Sequence, residues 1–268
     1  MGELFDQPFN TTDRSDVAVD GPHWQSTEFG SQRSAFKSNL DDKKSPLIVV
    51  DDFMPAPESF VTSASSCVHF APPSTGYPGL NARMEWATRT AMIDAVKPLL
   101  SEFFGFPGRS RLEVFDYYGL ITKSGSDLTP LQAIPHYDFA SDDVVVALLY
   151  LCDSRHGGTG FFYHKATGLS SITSATQTMY EACRDAELLA DQDKPRHIVT
   201  APTDRYGVLT SVDARFNRLV MYRASRLHSA LATGEHKAVD PIRGRLTANL
   251  FIRQGGDVVV RRREASSN

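Results

Sequence analysis

The sequence predicts an α+β protein whose core is a β-sandwich or a β-barrel. Residues 58–69 and 84–106 are expected to form helices, and a series of β-type segments follows from residue 111 onward. Helices followed by a run of strands are typical of α+β folds, in which helices cover one side of an antiparallel sheet. At 268 residues, sandwiches and barrels commonly fold as one unit. We therefore expect one domain over residues 46–258, a polar N-terminal extension over 1–45 and a tail over 259–268.

The predicted elements begin with the β-branched run Pro46–Phe53, which has the composition of a strand. Apolar residues recur at helical spacing over 84–106, where Pro98 should kink the helix or end its first part and Gly105 should stop it. The later segments predicted as strands are 111–121, 144–151, 159–165, two or three within 195–224, and 243–253. The segment 174–190 is predicted to be a helix inserted between strands.

Charge and apolar patterning narrow the range of partners. The chain carries 28 basic and 32 acidic residues, a formal charge of −4, which does not predict a nucleic-acid-binding surface. Its longest apolar run, Val144–Leu151, is too short to cross a membrane, and the N-terminus lacks the pattern of a signal peptide. Three scattered cysteines without a CxxC pair fit a reducing compartment. We expect a cytoplasmic protein without nucleic-acid or membrane partners, and leave a homodimer open.

The first motif with chemical content is IPHYDF, residues 134–139. On an extended strand His136 and Asp138 project from the same face, and Tyr137 projects from the other. An imidazole and a carboxylate on one face can share a metal ion, although a His-x-Asp pair alone is weak evidence. A third ligand has to come from elsewhere in the chain.

The candidate for that third ligand is His228, which follows the predicted strand Leu219–Tyr222. Two histidines and one carboxylate leave three neighbouring coordination positions open, as in the facial triad of non-haem Fe(II) oxygenases. His236 is the main rival to His228. A further alternative is that His156 and His164 form a metal cluster with His136.

A candidate basic residue for binding a dicarboxylate lies in the last predicted strand, RLTANLF. A buried dicarboxylate requires a fixed cation, and the planar guanidinium of arginine suits this role because it stays charged and binds a carboxylate through two hydrogen bonds. Arg245 opens the strand, with Thr247 on its own face. Arg243 shares the same alternation, and the choice between the two arginines stays open.

The order of these motifs resembles the iron(II)/2-oxoglutarate-dependent dioxygenase superfamily, most closely its prolyl 4-hydroxylase-like branch. The matching segments are HYD, ALLYLCD, HGGTGFF, NRLVMYRASRLH and RGRLTANLF, together with the lead-in PLIVVDDFMPAPESF. The resemblance covers roughly residues 46–254. The chain departs from the pattern by an insertion at residues 169–194 and by a longer gap between the distal histidine and the arginine.

The resemblance implies a double-stranded β-helix, or jelly roll, with N-terminal helices packed against it. It also implies that His136, Asp138 and His228 bind Fe(II) as the catalytic triad and that Arg245, or in reserve Arg243, anchors 2-oxoglutarate. Tyr118 would line the 2-oxoglutarate site, although its neighbour Tyr117 is an alternative.

The activity implied is dioxygen-dependent hydroxylation of an amino acid, a peptide or a small natural product, with release of succinate and CO2. The walls of the substrate site are expected from the loops 71–84 and 121–134 and from the insertion 169–194. Two rival hypotheses remain: a cupin-like domain that binds a metal or a small acid without turnover, and a zinc hydrolase that uses the same triad.

Overall fold

The structure, a computed structural model, describes residues 8–9, 25–29, 33–40, 45–66, 68–73, 76–232 and 238–255. The strands in these ranges are β1 (Pro8–Phe9), β2 (Gln25–Phe29), β3 (Arg33–Asn39), β4 (Pro46–Val50), β5 (Gly79–Ala82), β6 (Leu112–Ile121), β7 (Val145–Cys152), β8 (Thr159–His164), β9 (Tyr206–Val212), β10 (Arg218–Arg223), β11 (His228–Ala230) and β12 (Arg245–Gln254). The α-helices are α1 (Glu58–Ser66), α2 (Trp86–Phe104) and α3 (Gln177–Ala190).

The strands form two sheets. The larger sheet has the order β2-β3-β4-β10-β7-β12-β6-β5, and β1 pairs with β7 in parallel. The smaller sheet has the order β11-β8-β9. The pairings other than β1–β7 are antiparallel. The chain is therefore an α+β protein built mainly of antiparallel sheet, as the sequence predicted.

Strand β7 lies between β10 and β12 in the larger sheet and is buried along its whole length. One set of alternating side chains, which includes Val145 and Leu149, packs in the same apolar cluster as residues of α1 and α2. The other set, which includes Val146 and Tyr150, packs with residues of the smaller sheet such as Phe161. A strand buried on both faces needs no polar positions, which explains the unbroken apolar run in the sequence.

Helix α2 continues through Pro98 to Phe104, so Pro98 does not end the helix. A proline within a helix removes one backbone donor, but helices in proteins gain most of their stability from packing of an apolar face. The neighbouring residues Val96, Leu99 and Leu100 are buried in the core and keep this turn in place. The predicted stop is confirmed: Gly105 has φ 74°, and its N–H donates to the carbonyl of Leu100.

The larger sheet extends into the segment 1–45, because β3 pairs with β4 and β2 pairs with β3. This pairing uses main-chain hydrogen bonds, which an outer strand can make without an apolar sequence pattern. The tail 259–268 lies outside the described residues. Helix α3 lies between β8 and β9 and confirms the predicted inserted helix. Within the described ranges, we find no helix with the length and apolarity needed to cross a bilayer.

Candidate metal centre

The structure brings His136 and His228 together through a short antiparallel bridge. The N–H of His136 donates to the carbonyl of His228 at 2.9 Å, and the reverse bond measures 2.8 Å. Two residues later, the N–H of Asp138 donates to the carbonyl of Ala224 at 2.9 Å. These main-chain bonds fix the segment 136–138 beside the end of β10 and the start of β11, so His136 and Asp138 lie next to His228, which is distant from them in sequence.

The ligand atoms of these three residues face one another. Asp138 Oδ1 lies 3.8 Å from His136 Nε2, and Asp138 Oδ2 lies 3.7 Å from His228 Nε2. The three ligand atoms lie within 4.8 Å of one another. Two atoms that each lie about 2.1 Å from one ion are at most about 4.2 Å apart, so both carboxylate–imidazole distances suit a shared metal ion. Both are longer than a hydrogen bond.

The imidazole of His228 is held in a defined orientation. Its Nδ1 lies 2.8 Å from the carbonyl of Arg226, so Nδ1 donates and Nε2 is the unprotonated nitrogen directed at Asp138. Its ring packs edge-on against Tyr222 with centroids 4.9 Å apart. Burial lowers the pKa of His228 from 6.5 to about 4, and the Arg226 carbonyl opposes this shift only in part. His228 is thus neutral at neutral pH, the form that binds a metal.

Asp138 is buried and His136 is partly exposed. The side chain of His136 is 29% exposed, against 3% for His228 and none for Asp138. Among these three side chains, His136 is therefore the one that is accessible to solvent.

Of the two candidate arginines, Arg245 is buried inside the fold and Arg243 lies on the surface. Arg245 is 2% exposed; its Nε donates to the carbonyl of His156 at 2.7 Å and its Nη2 to that of Gly158 at 3.2 Å. The side chain of Arg243 is 83% exposed and lies 3.8 Å from Asp240. Of the two arginines that the sequence left open, Arg245 is therefore the one that lies in the interior, whereas Arg243 is exposed on the surface.

Thr247 lies on the same face of β12 as Arg245, as predicted, and is fully buried. Its Oγ1 accepts a hydrogen bond of 2.7 Å from Asn249 Nδ2, a residue on the same face that the sequence analysis did not assign to the site. Across the sheet, Thr247 pairs with Tyr150, whose hydroxyl lies 2.6 Å from Thr159 Oγ1. Polar side chains thus continue from the arginine along the strand inside an otherwise apolar interior.

The position proposed for Tyr118 is wrong. Tyr118 lies on the helical face of β6, where its hydroxyl donates to Thr88 of α2 at 3.0 Å and its ring belongs to the core beneath the helices. Tyr117, the alternative, has the opposite orientation and stacks on Phe251 with ring centroids 6.0 Å apart. Tyr117 and Tyr118 are neighbours on β6, and neighbouring residues of a strand point to opposite faces of the sheet. A choice that is wrong by one residue therefore places the tyrosine on the wrong face.

Among the histidines that the structure describes, His156 and His164 do not join His136 in this group. His236, the rival third ligand, lies outside the described residues. His156 contributes its carbonyl to Arg245. His164 belongs to a second group that can hold a metal, with Cys183 and Glu187 of α3. There His164 Nε2 lies 2.9 Å from Glu187 and Nδ1 lies 3.0 Å from Thr167, so both ring nitrogens already have hydrogen-bond partners.

Comparison with known proteins assigns the chain to a protein family. A family model described as "Family of unknown function (DUF6445)" matches residues 32–252. The chain belongs to this family. No curated protein matches the chain. The match includes the triad and Arg245, and it begins within a segment that the sequence analysis treated as an extension, so the DUF6445 region and the larger sheet both extend beyond the boundary expected at residue 46.

A cavity of about 240 Å³ adjoins the three candidate metal ligands of this DUF6445 protein, with His136 in its wall. Residues from all three segments expected to form the walls of a substrate site contribute to it, among them Pro78, Leu131 and Glu181. The sequence did not reveal that Tyr137, between the two ligands of the His-x-Asp motif, donates to Glu181 at 2.6 Å. The sign of this contact in the sequence was the position of Tyr137 between His136 and Asp138. On a strand, that position directs its side chain to the opposite face, where it can meet another residue.

Proposed function

We propose that this protein is an Fe(II)- and 2-oxoglutarate-dependent oxygenase that hydroxylates an amino acid, a peptide or a small natural product. In this reaction dioxygen supplies one oxygen atom to the hydroxylated product and one to succinate, and 2-oxoglutarate loses CO2. The observation that carries the proposal is the convergence of His136, Asp138 and His228, whose carboxylate and imidazole ligand atoms lie 3.7 and 3.8 Å apart, in a fold that also buries Arg245.

The donor set favours iron at this position. Two neutral imidazoles and one carboxylate leave a divalent ion with a residual positive charge, and on one face of the ion they leave three positions for a chelating acid and for dioxygen. The hydrogen bond from His228 Nδ1 to the Arg226 carbonyl is the kind of contact that orients a metal-binding histidine. In the group of His164, by contrast, a direct hydrogen bond already joins the imidazole and the carboxylate.

The strand order supports the finer fold, a double-stranded β-helix. Four strands, β10-β7-β12-β6, are adjacent in the larger sheet. In the smaller sheet the order β9-β8-β11 continues through the bridge between His228 and His136. Two four-membered antiparallel layers that enclose a common core are the architecture of a jelly roll.

Arg245 is the residue proposed to bind the distal carboxylate of 2-oxoglutarate. Its charge is buried, and it lies at the opposite end of the β12 face from Phe251, which pairs across the sheet with Val146. Val146 in turn pairs with Tyr222, the residue whose ring contacts His228. The interior face of β12 therefore runs from Phe251, at the level of the candidate metal ligands, to Arg245. Thr247 and Asn249 lie between these two residues as further polar contacts for the co-substrate.

The protein and the bound metal have different tasks in this proposal. Ferrous iron, when bound, supplies the activation of dioxygen that no side chain provides. His136, Asp138 and His228 hold the ion, Arg245 orients the co-substrate, and the buried rings of Tyr222 and Phe161 beside His228 keep water from that side. The partly exposed side at His136 is where the substrate approaches.

A turnover assay tests the proposal. Anaerobically purified protein receives Fe(II), 2-oxoglutarate and then air, and succinate is measured across a panel of amino acids, peptides and small natural products. We expect substrate-dependent succinate from the wild type and none above background from His136→Ala, while His69→Ala, a change at an exposed histidine, behaves like the wild type. Equal background in all three proteins with every substrate argues against catalysis and favours a binding domain. Hydrolysis of a substrate by zinc-loaded protein, without loss of 2-oxoglutarate, indicates the zinc hydrolase.

A further inference from the structure

The cavity beside His136 is lined by both apolar and charged side chains. Its volume is about 240 Å³, which suits a molecule of the size of an amino acid. Its apolar lining includes Ile121, Leu131, Ile134 and Ile198. Its charged lining includes Glu181 and Arg184, both on α3. A site of this kind selects its ligand through a few placed polar groups, while the apolar wall accepts the rest of the molecule.

The two charges on this wall are opposite in sign and close together. Glu181 and Arg184 lie three residues apart on α3, and Glu181 Oε1 lies 3.8 Å from Arg184 Nη1. The Nε and Nη2 atoms of Arg184 are bound by Asp185 at 2.9 Å, so Nη1 is the end of the guanidinium turned toward Glu181. The distance of 3.8 Å is too long for a direct hydrogen bond between the two side chains.

The contacts of Glu181 keep it ionised and in place. It accepts a hydrogen bond of 2.6 Å from the hydroxyl of Tyr137 and a longer one of 3.3 Å from Gln177. The hydrogen bond from Tyr137 holds the pKa of Glu181 below its usual value. Tyr137 also packs edge-on against Tyr180 with ring centroids 6.0 Å apart. Because Tyr137 lies between His136 and Asp138 in sequence, these contacts fix the charged wall relative to the metal ligands.

On the basis of the function proposed above, we propose that this cavity binds a free α-amino acid as its zwitterion. Its ammonium group pairs with Glu181, its carboxylate pairs with Arg184, and its side chain occupies the apolar part of the cavity beside His136. In an α-amino acid the two charged groups are attached to one carbon atom, which matches two protein charges separated by 3.8 Å. A ligand with a single charge would place that charge beside one group of the same sign, and such an arrangement disfavours binding.

Calorimetric titration tests this inference on the full-length protein, loaded anaerobically with Fe(II). Each free L-amino acid is titrated singly, and the tightest binder is then compared with its N-acetyl derivative, which lacks the ammonium, and with its amide, which lacks the carboxylate. A hydrogen bond to a charged group contributes about 1.5–3 kcal/mol, so we expect each derivative to bind about tenfold to a hundredfold more weakly.

Two variants assign each charge of the ligand to its partner. In Glu181→Gln the free amino acid and its N-acetyl derivative should bind within about twofold of each other, while the amide keeps its deficit. In Arg184→Gln the free amino acid and its amide should become similar, while the N-acetyl derivative keeps its deficit. Asp94→Asn and Lys97→Gln provide the matched control, since this exposed pair on α2 has the same spacing of three residues and lies outside the cavity wall.

The inference is overturned if no free amino acid binds, if both derivatives bind the wild type as tightly as the parent, or if the two cavity variants keep the wild-type pattern. The derivative series on the wild type decides the question even if a variant fails to fold. The succinate assay separates this inference from the proposed function. The binding pattern without succinate release retains the amino-acid site and rejects the oxygenase, whereas succinate release with peptides alone retains the oxygenase and rejects the free amino acid.

Discussion

His136 and His228 lie opposite each other on paired segments and exchange two backbone hydrogen bonds of 2.9 and 2.8 Å. Their rings are 4.4 Å apart between centroids. Residues that pair in this way are placed by the main chain, so the separation of the two imidazoles does not depend on side-chain contacts alone. The bridge therefore fixes the relative position of two of the three candidate metal ligands.

The first prediction concerns metal affinity. His228→Ala and Asp138→Ala should each weaken Fe(II) binding by more than about a hundredfold, because even residues that merely orient ligands cost 10–100-fold when changed. Anaerobic titration with Fe(II) measures the dissociation constant. His164→Gln, which alters the second group of candidate ligands, should leave this constant within about threefold of the wild type. If His164→Gln lost iron and His228→Ala retained it, the iron site would instead be the group of His164, Cys183 and Glu187.

The second prediction separates the two arginines. Arg245→Gln should weaken 2-oxoglutarate binding by about tenfold or more, because a charge-assisted pair with the distal carboxylate is lost. Arg243→Gln should bind 2-oxoglutarate like the wild type, since its side chain is 83% exposed. The measurement is equilibrium binding of 2-oxoglutarate to the Fe(II)-loaded protein without oxygen. Equal affinity in both variants would remove Arg245 from the site.

The third prediction concerns the tyrosine that lies on the helical face. Tyr118→Phe removes a buried hydrogen bond of 3.0 Å to Thr88 and should lower the free energy of unfolding by about 1 kcal/mol. Urea denaturation measures this loss. The same variant should bind 2-oxoglutarate as tightly as the wild type, because its ring packs beneath α2. Weaker 2-oxoglutarate binding without a change in stability would contradict the orientation of this side chain.

The fourth prediction is a pH dependence of the metal-free protein. Burial lowers the pKa of His228 from 6.5 to about 4, so the unfolded chain takes up a proton on this residue at higher pH than the folded chain. The stability associated with neutral His228 is complete above pH 6.5 and falls as the pH drops from 6.5 toward 4, by about 3 kcal/mol in total.

Urea denaturation at intervals from pH 7 to pH 4 tests this dependence. His228→Gln should show a shallower decline, whereas His69→Gln, at an exposed position, should keep the wild-type slope. Identical slopes in the wild type and in His228→Gln would show that another group controls the acid response.

Much of the fold followed from local patterns in the sequence. The unbroken apolar run became β7, buried on both faces, and the predicted inserted helix became α3. The N-terminal strands β2 and β3 were missed, because outer strands that pair through the main chain need no apolar alternation. Pro98 was expected to disturb α2, but core packing around it maintains the helix.

The candidate site was predicted in part for similar reasons. Alternation placed His136 and Asp138 on one face, and motif order added His228; the structure brings the three together. The choices between Arg243 and Arg245 and between Tyr117 and Tyr118 required the register of β6 and β12, which one sequence does not specify. The contact between Tyr137 and Glu181 joins residues 44 positions apart, and only the tertiary fold reveals it.

The most direct test of the central claim is an anaerobic Fe(II) titration followed by visible absorption, with and without 2-oxoglutarate. We predict one iron per chain, a new charge-transfer band when 2-oxoglutarate chelates the iron, and loss of that band in His136→Ala and in His228→Ala. A band of wild-type intensity in either variant, or iron that binds without any spectral response to 2-oxoglutarate, would contradict the account.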